Sequence, residues 1–376
     1  MDATQIESLF FRSPAKTAAE RSARKHQSSE RFRPPKVDRG RAPYHLDLAA
    51  VLPSRARSIR ESGRLVFHVV GDTGGVNGTG AQINVADHMA AQIHDASGPD
   101  QPSFLYHLGD IVYEHGEDVG YHDQFYHPYQ DYPAPIFAIP GNHDGFTIDP
   151  ADTLVPFLKH FCSDRSYHSP EAGHSDRPTM IQPNPYWRLE TPLATFVGLY
   201  SNVSGELDDT DRGGTEQQAW LAQELRTAPD DRGLILAVHH PIYSCGKHGG
   251  TARVRDAIER AMDEGGRVPD LILTGHDHCY QRFTRSRGDR RVPVLVVGAG
   301  GFAGYHDLAR VNPKLEPPPD VKLKAFEDRH PGFLRVTVEA DRLTGEYFTV
   351  PKPGREDRPE KLRDRFTLDL KTHRLS

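Results

Sequence analysis

Five short apolar segments of this chain each end abruptly in a polar motif that contains candidate metal ligands. Short apolar runs bounded by glycine or proline are typical of buried strands. In open α/β sheets, ligands bind beyond the carboxyl ends of the strands. The pattern therefore predicts that five loops meet at one edge and form one site. The motifs, in chain order, are Gly71-Asp72-Thr73-Gly74-Gly75, Gly109-Asp110-Ile111-Val112-Tyr113, Pro140-Gly141-Asn142-His143-Asp144, His239-His240-Pro241 and Gly275-His276-Asp277-His278.

Strand-like and helical patterns alternate between these motifs, which predicts an α/β fold built of layers. Helical periodicity marks residues 81–96, 215–228 and 251–264. Two apolar segments near the end, 332–340 and 343–351, are typical of a hairpin. The predicted strands cover residues 64–70, 103–108, 135–139, 195–200, 234–238, 270–274 and 292–297.

The two ends of the chain differ in character from the middle. Residues 1–60 are predicted to form a basic, flexible arm, because residues 12–41 hold ten basic residues and three acidic ones. Such an arm is able to contact an unknown partner. Residues 61–351 carry all five motifs and are predicted to form the main domain. Residues 352–376 are predicted to be a charged, loosely held tail.

The composition is that of an ordinary globular protein, with 26% charged and 36% hydrophobic residues. A net charge of −6 argues against a nucleic-acid-binding protein, whose binding face is basic. No apolar segment is long enough to span a membrane, and the first residues lack the apolar core of a secretory signal. Three cysteines provide no disulfide framework, so we expect a soluble, cytoplasmic protein.

Two long connections, residues 111–134 and 162–186, exceed the usual length of loops, so we expect them to be functional or partly disordered. The first is rich in histidine and tyrosine, and two interpretations remain open. The loop either forms a wall that stacks an aromatic or nucleotide leaving group, or packs over the site by means of its own aromatic side chains. The residues concerned are His115, Tyr121, His122, Tyr126, His127, Tyr129 and Tyr132.

The residue types of the five motifs suit a pair of metal ions. Two cations about 3.5–4 Å apart share a bridging carboxylate and take oxygen and imidazole ligands on either side. Asp110 is the candidate bridge. Side chains alternate along an extended segment, so His276 and His278 point the same way and each is able to serve one metal.

Taken together, the motifs resemble those of the calcineurin-like metallophosphoesterases over residues 64–350. The first motif of that family is usually Asp-x-His, but Gly74 stands here in place of the histidine. Tyr113, which ends the motif Gly-Asp-x-x-Tyr, is the compensating feature, and the combination resembles the purple acid phosphatase branch. The resemblance implies an α/β fold in the form of a four-layer α/β/β/α sandwich with two mixed sheets, in which residues 61–351 are the catalytic domain.

The same resemblance implies two metal sites that share one carboxylate. The first site, which holds Fe(III) in that branch, is expected to use Asp72, Asp110, Tyr113 and His278. The second site, which holds Zn(II), Mn(II) or Fe(II), is expected to use Asp110, Asn142, His239 and His276.

Five further polar residues lie in or near the motifs. His143 resembles the residue that contacts the phosphate and stabilises the transition state. His248 resembles a second substrate-contacting histidine, suited to protonate the leaving group, although an exposed loop histidine is the alternative. His240, Asp144 and Asp277 are expected to orient ligands rather than to bind metal.

These expectations describe a metal-dependent hydrolase of phosphate monoesters, similar to acid phosphatases, that acts by in-line attack of metal-bound hydroxide. The substrate is expected to be a phosphorylated small molecule or a phosphoprotein. One alternative is a phosphodiesterase acting on nucleotide or phospholipid-type diesters, because the same dimetal centre serves both ester classes. An alternative of another kind is a non-catalytic module that binds phosphate or phosphoproteins. Such a module is expected to lack a ligand, whereas every ligand position is filled here.

Overall fold

A computed structural model describes most of the 376-residue chain. The basic segment 12–41, which underlies the prediction of a flexible arm, lies outside the described residues. The described ranges are 42–75, 78–146, 153–203, 207, 216–302, 308, 318–355 and 358–376.

The described strands form two mixed sheets, numbered here in chain order. The larger sheet contains β1 (His45–Asp47), β5 (Trp187–Glu190), β6 (Ala194–Leu199), β7 (Gly233–Val238), β8 (Leu271–Thr274), β9 (Tyr280–Arg287), β10 (Arg290–Val297) and β11 (Val321–Glu327). Their spatial order is β1-β5-β6-β7-β8-β10-β9-β11. Strands β6, β7, β8 and β10 pair in parallel, so their carboxyl ends lie at the same edge.

The smaller sheet contains β2 (Arg64–Val70), β3 (Leu105–His107), β4 (Ile136–Ala138), β12 (Gly332–Glu339), β13 (Arg342–Thr349) and β14 (Lys361–Asp369). Their order is β14-β13-β12-β2-β3-β4. Strands β2, β3 and β4 are parallel, whereas β12, β13 and β14 pair antiparallel. The carboxyl ends of the three parallel strands therefore also share one edge.

The described helices are α1 (Leu48–Val51), α2 (Pro53–Ser62), α3 (Gly80–Asp95), α4 (Asn142–Gly145), α5 (Val155–Phe161), α6 (Glu216–Thr227) and α7 (Ala252–Gly265). Helix α3 buries Met89 on the outer face of the smaller sheet. Helices α6 and α7 bury Leu221 and Ile258 on the outer face of the larger sheet. Helices therefore cover the outside of both sheets.

The main hydrophobic core lies between the two sheets. Phe67 of the smaller sheet meets Phe196 of the larger one edge to face, with ring centroids 5.0 Å apart. Trp187 and Leu273 belong to the same fully buried cluster. Strand β2 shows the alternation that a layered fold requires, because Phe67 contacts this cluster while Val70 contacts the cluster beneath α3. The expected four-layer α/β/β/α sandwich with two mixed sheets is confirmed.

The predicted division at residues 60 and 352 needs correction at both ends. Within the described residues, regular structure already begins at His45, and Leu48 and Ile59 are buried against the core between the sheets. The expectation of a loosely held tail is wrong for residues 361–369, which form β14. Phe366 and Leu368 are buried beside β13, and this apolar face holds the strand in the sheet.

The long connection 111–134 contains a 3₁₀ turn, Asp118–Gly120, and a π-helical turn, His122–Tyr126. Its tyrosines at 121, 126, 129 and 132 are buried in one cluster with Phe125 and Phe161. This burial supports the interpretation of a loop packed by its own aromatic side chains. Among the described residues, no helix combines the length and the apolar character that crossing a bilayer requires.

Candidate metal centre

The five motifs follow β2, β3, β4, β7 and β8, and backbone hydrogen bonds hold the loops together. The N–H of Asp72 donates to the carbonyl oxygen of Gly109 at 3.0 Å, which joins the first two motifs. The N–H of Gly275 donates to the carbonyl oxygen of His239 at 2.9 Å, which joins the last two. The N–H of Gly71 donates across to Val297 of the larger sheet at 2.9 Å. The edge predicted from the sequence therefore exists and involves both sheets.

Three of the predicted ligands adopt a left-handed backbone conformation that non-glycine residues rarely adopt. The φ angles are 58° at Asp72, 54° at Asp110 and 70° at His276. Such strained residues persist only where surrounding structure fixes them, and they concentrate at functional sites. Glycine is needed beside them, because a Cβ atom on Gly141 would lie 2.2 Å from Oδ1 of Asp110 and one on Gly275 would lie 2.6 Å from Oδ2 of Asp72.

The residues predicted for the first metal converge on the phenol of Tyr113. Its hydroxyl oxygen lies 3.4 Å from Oδ1 of Asp72, 3.1 Å from Oδ2 of Asp110 and 3.3 Å from Nε2 of His278. The His278 ring nitrogen is also 3.8 Å from Oδ1 of Asp72. Two carboxylates, a phenol and an imidazole thus face one point, and hard oxygen donors of this kind suit a trivalent cation.

Gln124 holds Tyr113 in place, and sequence reasoning missed it. The N–H of Tyr113 donates to Oε1 of Gln124 at 2.9 Å, and Nε2 of Gln124 donates to the carbonyl oxygen of Tyr113 at 2.6 Å. Gln124 lies in the π-helical turn of the long loop, eleven residues after Tyr113. The sequence carries no spacing signal for such a contact.

The residues predicted for the second metal also lie together. Nε2 of His239 is 3.3 Å from Oδ2 of Asp110 and 3.1 Å from Oδ1 of Asn142. Ligand atoms of Asp110, His239 and His276 all lie within 4.8 Å of one another. Nδ1 of His239 lies 2.8 Å from the carbonyl oxygen of Leu108, which is a suitable acceptor for an Nδ1 proton. That tautomer leaves Nε2 as the metal-binding nitrogen.

One carboxylate oxygen belongs to both groups. Oδ2 of Asp110 contacts the phenol of Tyr113 on one side and the imidazole of His239 on the other. The second oxygen, Oδ1, accepts the backbone N–H of His143 at 2.8 Å, which fixes the rotation of the carboxylate. This is the arrangement expected of a bridging ligand between two metal ions.

The electrostatics of the buried cluster depend on its histidines. Burial raises the pKa of Asp72 well above its ordinary value. Burial by itself raises the pKa of Asp110 too. The charges of His239 and His143 outweigh this effect and hold the pKa of that carboxyl well below its ordinary value. Against the effect of burial, Asp110 in turn raises the pKa of His239 to about 9. Burial and the nearby carboxylates raise the pKa of Tyr113 well above its ordinary value.

The donor set fits metal ions. Asp72 and Asp110 are 0% and 1% exposed, and within the described part of the chain neither forms an ion pair with lysine or arginine. Their partners there are histidines, and burying such carboxylates is costly, whereas metal cations stabilise both the carboxylates and a phenolate. Asp72, Asp110 and Tyr113 therefore have the chemistry of anionic ligands to a cation.

Asp144 orients the second and third motifs. Its carboxylate accepts the backbone N–H groups of Asp110 at 2.8 Å, Ile111 at 3.0 Å, Val112 at 3.3 Å and Gly141 at 2.8 Å. Both oxygens are thus used within the loops. The contacts agree with the expected orienting role.

Asp277 and His240 also contact loops around the cluster. Asp277 accepts the hydroxyl of Ser244, and it accepts the backbone N–H of His248 at 3.0 Å. Nδ1 of His240 lies 2.7 Å from the hydroxyl oxygen of Ser201. These side chains are placed to hold the loop 244–248 and the ring of His240.

The two histidines expected to contact substrate differ in setting. His143 is half-buried, its ring lies 4.3 Å from that of Tyr113, and its Nδ1 lies 2.8 Å from the carbonyl oxygen of Glu114. His248 is exposed, and its ring lies 4.4 Å from that of His276. Both are therefore next to predicted ligands, His143 beside Tyr113 and His248 beside His276.

Phe302 is a second residue that sequence reasoning missed. Its ring lies 4.2 Å from that of Tyr113 and 4.6 Å from that of His278. The N–H of Phe302 donates to the carbonyl oxygen of Asp72 at 3.1 Å. The glycine-rich segment 298–301 that precedes it is the signal that could have indicated a close approach.

Comparison with known proteins identifies the fold and its relatives. The family model of the calcineurin-like phosphoesterases matches residues 65–280, more than half of the chain. Tartrate-resistant acid phosphatase type 5 of Rattus norvegicus is 27% identical over 281 residues, which cover 67% of this chain and 77% of that protein. Purple acid phosphatase 17 of Arabidopsis thaliana is 36% identical over 86 residues, and this match spans 22% of the chain and only 24% of the relative.

Solved structures share the fold at low sequence identity. Purple acid phosphatase PPD1 from yellow lupin seeds superposes with a TM-score of 0.58 and 17% identity over 81% of this chain and 54% of the lupin chain. GAP50, described as the anchor in the inner membrane complex of Plasmodium, superposes with a TM-score of 0.56 and 16% identity over 80% of this chain and 89% of that one. At these identities the likeness extends to the fold alone.

Proposed function

The chain belongs to the calcineurin-like phosphoesterase family and resembles its purple acid phosphatase branch, and we propose that it hydrolyses phosphate monoesters at a dimetal centre, as an acid phosphatase-like enzyme. The observation that carries the proposal is the position of Oδ2 of Asp110. It lies 3.1 Å from the phenol oxygen of Tyr113 and 3.3 Å from Nε2 of His239, between two groups of ligand types.

The proposal assigns one metal ion to each group. Asp72, Asp110, Tyr113 and His278 would hold Fe(III), because a phenolate and carboxylates favour a hard, trivalent ion. Asp110, Asn142, His239 and His276 would hold Zn(II), Mn(II) or Fe(II). Metal ions bound there would lower the pKa of a water molecule and neutralise charge on the phosphoryl group.

His143 is proposed to contact the phosphate. Its Nδ1 lies against the carbonyl oxygen of Glu114, which leaves Nε2 for a substrate. Burial lowers the pKa of His143 in the protein alone. A phosphate dianion beside the ring would favour the protonated form, in which Nε2 donates to a phosphoryl oxygen.

His248 is proposed to protonate the leaving group. It is exposed, its ring lies 4.4 Å from that of His276, and its backbone N–H donates to Asp277 at 3.0 Å. An imidazole with access to solvent recovers its proton between turnovers, as a general acid must. The cytoplasmic location and a partner for the N-terminal arm stay predictions.

A non-catalytic phosphate- or phosphoprotein-binding module is the alternative of another class. The fold alone does not decide between them, since one structural neighbour is described as an anchor and another as a phosphatase. The strain at Asp72, Asp110 and His276 favours catalysis, because a complete and strained ligand set is not needed merely to bind phosphate.

The deciding experiment compares kcat/KM on an aryl phosphate monoester and on the corresponding bis-aryl diester, with metal-loaded protein. Asp110→Ala serves as the blank and is expected to lose both metals and nearly all turnover. Asp123→Ala is the matched control, because Asp123 is exposed and belongs to no group of potential metal ligands within the described residues. A preference for the diester would replace the phosphatase with a phosphodiesterase, and unchanged metal content in Asp110→Ala would refute the ligand assignment.

A further inference from the structure

A cavity of about 330 Å³ lies beside β14, and its walls carry a group of cationic side chains. We call it the basic pocket. Five of its ten lining residues are lysine or arginine, and a sixth is His330. The chain as a whole, by contrast, has a net charge of −6. The cations are Lys352, Arg355, Arg358, Lys361 and Arg363.

Two backbone hydrogen bonds link three of these cations along the chain. The N–H of Arg355 donates to the carbonyl oxygen of Lys352, and the N–H of Arg358 donates to that of Arg355, both at 3.2 Å. The side chains of Lys352, Arg355 and Arg358 all line the same cavity. At the start of β14, Lys361 pairs with Thr349 of β13, and both residues line the pocket.

Nearby acids neutralise only part of this charge. Glu327 lies 3.5 Å from Arg363 and 3.1 Å from His330. Within the described residues, Arg355, Arg358 and Lys361 form no ion pair. Among the lining residues that the structure describes, positive charge therefore exceeds negative charge.

Two acids of the same segment are held by other residues. Asp364 accepts from Arg282 at 2.6 Å and from the hydroxyl of Tyr280 at 2.7 Å. Glu360 accepts from Nε2 of Gln92 at 2.6 Å. Their carboxylates are therefore engaged by the body of the domain.

The basic pocket lies at the same edge of the smaller sheet as the metal centre. The N–H of Val350, in the pocket wall, donates to Pro331 at 2.8 Å, and the next residue, Gly332, donates to Ala299 at 2.9 Å. Gly300 then donates to Gly71, the neighbour of Asp72, at 3.1 Å. Val350 is thus two strands away from β2, which corresponds to roughly 10 Å.

We propose that the basic pocket binds a phosphate group of a multiply phosphorylated small molecule. Guanidinium groups bind phosphate oxygens through paired hydrogen bonds, and several cations around one cavity suit a group with two negative charges. The cavity has the size of a small-molecule subsite. A ligand that places one phosphate here and another at the metal centre has to span at least the two strand spacings between Val350 and β2, roughly 10 Å.

The first test measures binding and does not depend on turnover. Methylenediphosphonate, a diphosphate analogue without a hydrolysable P–O–P bond, is titrated into the metal-loaded full chain by calorimetry. The double variant Arg355→Glu/Arg358→Glu is expected to bind one equivalent fewer than wild type. The matched control is Arg57→Glu/Arg60→Glu, which makes the same charge change on exposed residues of α2.

The second test rests on the proposed function and identifies the source of the phosphate. It compares hexane-1,6-diol bisphosphate with hexyl phosphate as substrates. If the substrate itself carries the second phosphate, the pocket variant loses about tenfold in kcat/KM on the bisphosphate and less than twofold on the monophosphate. If only binding of methylenediphosphonate is lost, the pocket serves a separate phosphorylated ligand.

Equal stoichiometry in wild type, pocket variant and control would overturn the proposal. Equal weakening in the pocket variant and the control would also overturn it, because net charge would then account for the effect. If wild-type protein lacks phosphatase activity, the proposed function is refuted. The basic pocket still stands in that case, provided that the pocket variant binds one equivalent of methylenediphosphonate fewer than wild type.

Discussion

The ring of Tyr113 occupies the space that a side chain at residue 74 would need. A Cβ atom on Gly74 would lie 2.8 Å from Cδ2 of Tyr113 and 2.6 Å from Oε1 of Gln124. The histidine expected at this position in the wider family and the tyrosine present here therefore exclude each other in this backbone. The absence of a side chain at Gly74 therefore provides the space that the ring of Tyr113 occupies.

Gly74→Ala is expected to displace Tyr113 from the first metal group. The added methyl group has no space between Tyr113 and Gln124, and overpacking of this kind costs about 1–3 kcal/mol of unfolding free energy. We expect a lower iron content, measured by elemental analysis, together with a lower melting temperature. Gly80→Ala is the control, because its Cβ atom would meet only Pro353 at 3.6 Å. Unchanged iron content in Gly74→Ala would mean that Tyr113 is not a ligand.

Tyr113→Phe is expected to abolish visible absorption of the iron-loaded protein. The variant removes the phenol oxygen that faces Asp72, Asp110 and His278, and with it the phenolate donor of a charge-transfer band. Absorption spectroscopy of protein with measured iron content tests this directly. Tyr121→Phe is the control, since the buried Tyr121 hydroxyl has no hydrogen-bond partner within the described residues. Wild-type protein with iron in the site and no visible band would remove the purple acid phosphatase-like assignment.

The meeting of the five motifs at one edge was predictable from the sequence, and the reason is physical. Each candidate ligand lies within six residues of the end of a strand, so a strand pattern and the next few residues were enough to bring Asp72, Asn142 and His278 to one edge. Gln124 and Phe302 act through contacts that depend on the path of a loop. No periodicity or spacing in the sequence encodes that path.

The extent of the domain was predicted wrongly at both ends, because the terminal strands contain many charged residues and few apolar ones. Strand β14 (Lys361–Asp369) contains charged residues of both signs, and of its side chains only those of Phe366 and Leu368 are buried. As an edge strand it pairs with β13 alone, so most of its side chains remain in solvent. The short strand β1 is similar, because only its central residue, Leu46, is buried.

Asp144→Asn is expected to destabilise the protein and to slow catalysis without removing a metal ligand. The carboxylate accepts four backbone N–H groups, and an amide would turn an N–H₂ group toward some of these donors. A buried donor left without an acceptor costs about 1–3 kcal/mol. Urea unfolding and kcat at pH 7 test both effects, with the exposed Asp123→Asn as the control. Full activity in Asp144→Asn would show that the loops are fixed by other contacts.

His68 is expected to limit stability in acid. It is fully buried on β2, between the hydroxyl of Tyr132 and Oε1 of Gln92, and burial lowers its pKa to about 3. Between pH 6.5 and about 3 the unfolded state therefore binds a proton that the folded state does not. The free energy of unfolding should fall with falling pH in this window, by up to about 1.4 kcal/mol per pH unit from this residue.

His68→Gln tests whether His68 contributes to this pH dependence, because the variant keeps a polar side chain but has no titrating group at this position. Its unfolding free energy, measured by urea denaturation from pH 7 to pH 4, should depend less steeply on pH than that of wild type. The exposed His94→Gln on α3 should leave the slope unchanged. Because His160, with its pKa lowered to about 4 mainly by burial, acts in the same direction, the slope should shrink in His68→Gln without vanishing. Identical slopes in wild type and His68→Gln would mean that His68 takes up its proton without unfolding.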